Sequence, residues 1–386
     1  MTTQQPARWT EDGREHSAHW RSESGARLPA RLAPADDRLS ADRAFKLVCE
    51  GTGLVWRGDF HQARQLLQAL ARRVERKPPK PGAEPRETFH RARQWQSRRA
   101  GLLGMLLVPL ETGPEGYAVP LRRAPAVHEA CAQAYGPAPA GAERSLVALR
   151  ELDAVLSAHQ WQLRGVAVPA LGGERIHPRY GVFSPVRGEY VDLVARAADE
   201  QLPSRELAFD IGTGTGVLSA VLARRGVARV VATETDERAL DCARENVSRL
   251  RVDDAVEVVS ADLFPPGGTR APLVVCNPPW VPAKPSAPVE RAVYDHGSRM
   301  LHGFLDGLAE RLAPGGEGWL VLSDLAEHLG LRTREELLDR IASSGLRVLG
   351  RLDARPRHPK AADAGDPLHA ARDAEVTSLW RLGVQG

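Results

Sequence analysis

The sequence predicts an α/β protein: a Rossmann-like, largely parallel sheet with helices on both faces, preceded by a mostly helical accessory domain. Three observations predict it. From Glu206 onward, short apolar runs alternate with amphipathic stretches as strand, helix, strand, helix. The first of those strands ends in "DIGTGTG", Asp210 to Gly216, and a helical pattern follows at once. Residues 41–164 lack this alternation and show apolar residues at helical spacing instead. A chain of 386 residues, at ~150 per domain, suggests two domains.

Each element follows in chain order. Residues 1–40 are polar with scattered Pro, Ser and Gly, so they read as a disordered arm. A helical pattern begins at Ala44, and Ala63, Leu66, Leu67, Leu70 and Val74 continue it. "PPKPGAEP", Pro78 to Pro85, reads as a stiff linker. "ETFHRARQWQSRRAGLL" resumes a helix, "GMLLVPL" and "GYAVPLRR" read as short strands, and Ser145–Leu163 reads as an amphipathic helix. This first part, residues 41–164, is expected to be a basic accessory domain for substrate recognition. The α/β domain is expected over 165–386. It starts with a hairpin around Gly172-Gly173. The strands "ELAFDIG", "ARVVATE", "VEVVSAD", "PLVVCN" and "EGWLVLSD" then alternate with the helices "GVLSAVLARRG", "DERALDCARENVSRL" and "MLHGFLDGLAERL".

Composition narrows the function classes. Hydrophobic residues make up 42% of the chain and charged residues 26%, which suffices for a buried core. The four cysteines form no C-x-x-C pair, so neither a metal site nor a redox dithiol is expected. The N-terminal segment lacks an apolar h-region, and no apolar run reaches the ~18 residues of a membrane span. A cytoplasmic, reducing compartment is expected, with no membrane partner. Residues 1–164 carry 25 Lys and Arg against 18 Asp and Glu, while the remainder carries 27 against 31. That asymmetry permits a polyanion partner for the first domain, or an ordinary solvated surface.

The chemistry gathers at strand ends. Gly212, Gly214 and Gly216 stand at G-x-G-x-G spacing, with Thr213 between the first two. Glycines allow a tight turn and let a ligand approach the backbone. A dinucleotide fingerprint would need glycine at position 217, where the chain has Val217. Asp210 just before the turn suits a positively charged ligand better than a pyrophosphate. Eighteen residues past Gly216, Glu234 ends the next strand, where an acid can accept from both hydroxyls of a ribose. Asp262 follows the third strand and can accept from an adenine amino group. Asn277 ends the fourth, in "LVVCNPPW". Four strands thus deliver polar groups to one sheet edge, where open α/β sheets bind ligands.

"FDIGTGTG", "VATETDERALDCARENV", "SADLF" and "CNPPW" resemble, in order and spacing, the class I S-adenosyl-L-methionine-dependent methyltransferases. The resemblance covers about Tyr180 to Leu322, with a terminal hairpin from "GLRVLGRLD" to "AEVTSLWRL". It implies a seven-stranded methyltransferase sheet and S-adenosyl-L-methionine as cofactor. Asp210 and Gly212 would lie near its methionine part, Glu234 at the ribose and Asp262 at the adenine. The N-P-P-W motif narrows the resemblance to enzymes that methylate amino nitrogens on planar carbon: adenine, cytosine or guanine amino groups, or the amide of glutamine.

Such a nitrogen is a poor nucleophile because its lone pair is delocalised. Two acceptors aimed at its hydrogens draw it toward tetrahedral geometry and free the lone pair. The Asn277 side-chain oxygen and the Pro278 carbonyl can do this, and Pro278 and Pro279 hold them rigid. Trp280 offers a flat surface for stacking a base or amide. Phe183, in "YGVFSPVRGEYVDLV", is a candidate contact to cofactor or substrate, or a core residue. Arg91, Trp95 and Arg98 share one helical face, so the tryptophan can stack a base while the arginines meet phosphates. The plain alternative is a packed tryptophan between solvated arginines. Asp236 and Glu237 read as first-turn acids of a helix, Cys276 as a buried small residue. The favoured substrate is RNA, ribosomal adenine or guanine; the alternatives are a protein glutamine, a small biosynthetic molecule, or a cofactor-sensing module without activity.

Overall fold

A computed structural model describes residues 6–285, 288–356, 363 and 365–385. The chain forms two compact units, Met1–Lys80 with His90–Gln160, and Pro81–Phe89 with Trp161–Gly386. Among the described residues no helix is long and apolar enough to cross a membrane.

The first unit holds strands β1 (Pro6–Glu11), β2 (Arg14–Arg21), β3 (Arg31–Ala35), β4 (Thr52–Trp56), β5 (Leu106–Gly113), β6 (Gly116–Ala118) and β7 (Arg144–Ala148). Its helices are α1 (Ala41–Cys49), α2 (Phe60–Glu75), most of α3 (Pro85–Leu103), α4 (His128–Tyr135) and most of α5 (Leu149–Arg164); residues 85–89 and 161–164 of these belong to the second unit. The strands join in the order β1-β2-β7-β5-β4-β3, with β6 beside β5. Two expectations are corrected here. The disordered arm expected over 1–40 is overturned for its described part, because 6–35 supply three strands of this sheet, and residues 1–5 lie outside the described residues. The arm's few apolar residues suffice because they alternate. Ala7, Trp9 and Ala18 are buried and pack with Val55, Leu107 and Leu146 of the central strands. The unit is also not mostly helical with a small sheet, since seven strands form its centre. β4 is buried along its whole length, and the helix expected over Ser145–Leu163 begins as β7, with Leu146 and Val147 fully buried. β3 contains Pro34, and it lies at the sheet edge where a missing amide hydrogen costs no pairing.

The second unit opens with a small antiparallel hairpin, β8 (Val166–Ala167) and β9 (Arg175–Ile176), around the expected Gly172-Gly173 turn. Then follow α6 (Glu189–Gln201), β10 (Leu207–Ile211), α7 (Val217–Arg224), β11 (Arg229–Glu234), α8 (Glu237–Arg249), β12 (Val256–Ser260) and β13 (Ala271–Cys276). The rest is α9 (Arg299–Arg311), β14 (Leu312–Ser323), α10 (Leu325–His328), α11 (Arg334–Ser343), β15 (Leu346–Ala354), α12 (His369–Ala374) and β16 (Thr377–Val384). The sheet order is β12-β11-β10-β13-β14-β16-β15. β12 to β14 run parallel, and β16 runs antiparallel to both neighbours, which is the expected terminal hairpin.

The strand period sorts side chains between two apolar layers. Along β13, Leu273 and Val275 join one cluster while Val274 and Cys276 join the other. Both faces are covered, so the central strands read as continuous apolar runs. After β12 the chain returns to the other side of β10 to form β13. That reversal opens a crevice at the carboxyl ends of β10 and β13, where an open α/β sheet takes its ligand.

Candidate active site

β10 carries Asp210 to the crevice and buries it at 1% exposure. Its Oδ2 accepts from Thr213 Oγ1 at 2.7 Å, from the Ser219 amide at 3.0 Å and from Ser219 Oγ at 2.6 Å. The carboxyl therefore fastens the glycine turn to the first turn of α7. Burial pushes its pKa up, and the bonds from Ser219 and Thr213 oppose that rise. Gly212 has φ of 69°, a conformation that favours glycine. The backbone there is left-handed, and a Cβ would sit 2.3 Å from the Met300 methyl. A Cβ at Gly214 would meet nothing within 4 Å, so the turn leaves open space on its ligand side.

Glu234, at the tip of β11, is braced by backbone amides. Its Oε2 accepts from Gly214 at 3.2 Å, and its Oε1 accepts from Thr235 at 2.8 Å and Asp236 at 3.2 Å. Asp236 is the N-cap of α8, accepting from the amides of Arg238 and Ala239, and Glu237 is its first-turn acid. A cavity of about 610 Å³ lies against these residues. Of the sequence-predicted residues, Phe183, Gly212, Thr213, Gly214, Glu234, Asp262, Asn277 and Pro279 line it. Asp210 and Gly216 support the turn from behind and are not at the wall. Phe183 also packs against the apolar cluster, so both readings of it hold.

The N-P-P-W segment divides its roles. Asn277 and Pro279 face the cavity, while Pro278 is buried beneath them. Trp280 is not at the cavity wall. Its half-buried ring packs against the apolar clusters on both faces of the sheet, and its indole N–H donates to Asn277 Oδ1 at 2.8 Å. Cys276 just before the motif is fully buried, which pushes its thiol well above the usual range. Arg91, Trp95 and Arg98 lie on α3 in the first unit and are not among the cavity-lining residues. Arg91 and Arg98 are exposed and Trp95 is half-buried.

Several lining residues escaped the sequence reading. Tyr190 of α6 lines the cavity, and burial together with Asp210 pushes its phenol up. Asp295 Oδ2 accepts from the Met300 amide at 2.8 Å and pins the start of α9 beside the glycine turn. Arg291 and Arg299 complete that wall. The only local signal was "DHGSRM", where Gly297 and Ser298 both adopt left-handed backbone.

Residues 174–340 match the family model of the methyltransferase small domain. The release factor glutamine methyltransferase of Mycolicibacterium smegmatis is 37% identical over 147 residues, 37% of this chain and 51% of that protein. The tRNA1(Val) (adenine(37)-N6)-methyltransferase of Bacteroides thetaiotaomicron is 35% identical over 127 residues, 31% of this chain and 54% of that protein. The chain thus spans about half the length of these curated relatives. Among solved structures, the ribosomal protein L11 methylase of Lactobacillus delbrueckii subsp. bulgaricus aligns with a TM-score of 0.38 at 14% identity, over 53% of this chain and 83% of that one. The resemblance read from the motifs is borne out over this methyltransferase segment, and the expected S-adenosyl-L-methionine cofactor stands with it.

Proposed function

We propose that the chain is an S-adenosyl-L-methionine-dependent N-methyltransferase that acts on an exocyclic amino group of RNA. One observation carries the chemistry: Asn277 shares a single cavity with Glu234, Asp262 and the glycine turn. The residues fit the cofactor. Gly214 leaves open space beside the turn, and the amide-braced Glu234 carboxylate suits two ribose hydroxyls. Asp262 would take the adenine amino group, and Tyr190 and Met300 would close the apolar side of the methionine part.

When bound, the cofactor supplies an electrophilic methyl group. Asn277 Oδ1 accepts a hydrogen of the amino nitrogen and draws it toward tetrahedral geometry, while the buried Pro278 holds the segment rigid beneath the wall. Proline fixes φ at positions 278 and 279, so the backbone beside the Asn277 acceptor is set before the substrate arrives. The cavity walls then hold the nitrogen in line, which supplies proximity without a strong base. The basic first unit, with Arg91 and Arg98 exposed on α3, serves as the RNA-recognition part of this reading.

A glutamine amide is the second reading, favoured by the 37% identity to a release factor glutamine methyltransferase. The same acceptor suits that nitrogen. The test is transfer of tritium from labelled S-adenosyl-L-methionine into fractionated RNA, protein and metabolites from a deletion strain. Label in RNA supports the proposal. Label in a release factor selects the glutamine reading, and label in metabolites alone overturns both.

A further inference from the structure

Among the described residues, the Asn277 side chain has one hydrogen bond, from the Trp280 indole. An indole nitrogen only donates, so the amide oxygen and not the amide NH2 must face it. An amide oxygen has two lone pairs, and the indole engages one. The other stays available to a substrate hydrogen. Trp280 is itself well anchored, since its ring packs against both apolar clusters. Pro278 and Pro279, with φ fixed by their rings, set the spacing between the two side chains. Without the indole N–H, no hydrogen bond among the described residues stops the amide from turning over. A turned amide presents two donors to an amino group that needs an acceptor.

We propose that Trp280 is a positioning residue that acts through Asn277, holding the amide oxygen in its accepting orientation. The catalytic consequence rests on the N-methyl transfer proposed above, but the hydrogen bond itself does not.

Trp280→Phe separates this role from a stacking one, because phenylalanine keeps a flat ring and loses the N–H. The full chain is used throughout. Calorimetry with S-adenosyl-L-methionine should give an affinity within ~2-fold of wild type for Trp280→Phe, since the bond lies outside the cofactor contacts. Tritium transfer into total RNA, and into a recombinant release factor as second acceptor, should fall at least ~10-fold at saturating acceptor with KM within ~3-fold. The double variant Asn277→Ala/Trp280→Phe should be no slower than Asn277→Ala, because a residue acting through Asn277 has nothing left to orient. A Trp280→Phe rate within ~2-fold of wild type, or a fully additive double variant, overturns the proposal. A third arm needs no acceptor. The chain has eight tryptophans, and in 15N-labelled protein Asn277→Ala should shift one indole resonance and speed its exchange with water. That resonance should be the one missing from Trp280→Phe. If neither acceptor takes label, the proposed function fails, and the indole arm alone decides the bond. If Trp280→Phe does not fold, Asn277→Ala still decides it, because eight unmoved resonances refute the contact.

Discussion

Replacing Glu234 with alanine removes a carboxylate that does two separable things in the proposed site. The first is structural. Oε1 receives the Thr235 and Asp236 amides and Oε2 receives the Gly214 amide, so the side chain ties the tip of β11 to the turn after β10. Glu234 is only half-buried, so the three amides can turn to water when it is lost. The cost is then the net value of each bond and not a burial penalty, ~1–3 kcal/mol for the three together. Two of the bonds are 3.2 Å long, which favours the lower end. The second is ligand binding. Loss of acceptance from the ribose hydroxyls should weaken the cofactor by ~1–3 kcal/mol, or ~5–150-fold in Kd. Urea unfolding with and without S-adenosyl-L-methionine separates the two. The ligand-free variant should lose stability, and saturating cofactor should then restore less than it does in wild type. Lower stability with unchanged cofactor affinity would leave Glu234 as a brace and remove it from the binding site.

Other predictions follow the same logic. Asn277→Ala should keep cofactor affinity and lose ~10²–10³ in turnover, the scale of one preorganised polar contact to the reacting group; near-normal turnover on the identified acceptor would refute the amino-methyl mechanism. Gly212→Ala should cost ~1–2 kcal/mol for its left-handed backbone, plus a contact part with the Met300 methyl. Met300→Ala in that background should return the contact part alone, measured by urea unfolding. RNA affinity of the full chain should fall with salt by ~0.7 log units per log unit for each phosphate contact. Arg91→Ala or Arg98→Ala should each lower that slope by less than ~1, while Trp95→Ala costs ~1–3 kcal/mol at nearly constant slope. A flat salt dependence would shift the substrate to a glutamine or a small molecule.

The arm at the N-terminus shows why some elements were illegible. Its hairpin did carry a signal, the Asp12-Gly13 pair with φ of 49° and 74° between β1 and β2. Asp-Gly is a strong two-residue hairpin marker, but the flanking strands hold so few apolar residues that the composition reads as disorder. β7 was misread for another reason. "SLVALRELDAVL" continues without a break from strand into helix, and a short apolar run cannot be assigned to either by periodicity alone. Trp280 shows the same limit inside the site. An aromatic residue after N-P-P can meet a substrate or the core, and only the fold shows that this ring packs against apolar clusters on both faces of the sheet.

What the sequence by itself determined is local and chemical. The alternation of strands and helices in the second unit, the positive φ of Gly212, Gly214 and Gly216, and the acids at strand ends all follow from short-range rules that a chain cannot hide. The tertiary structure decided what depends on approach between distant segments. It drew Asp210 behind the glycine turn, where bonds from Ser219 and Thr213 offset part of the cost of its burial. It brought Met300 and Asp295 from the start of α9 to the cavity, some eighty residues along the chain from the turn they complete, a span of ~80 that no local pattern encodes. It also put the Trp280 indole on the Asn277 oxygen, with the ring packed against apolar clusters on both faces of the sheet.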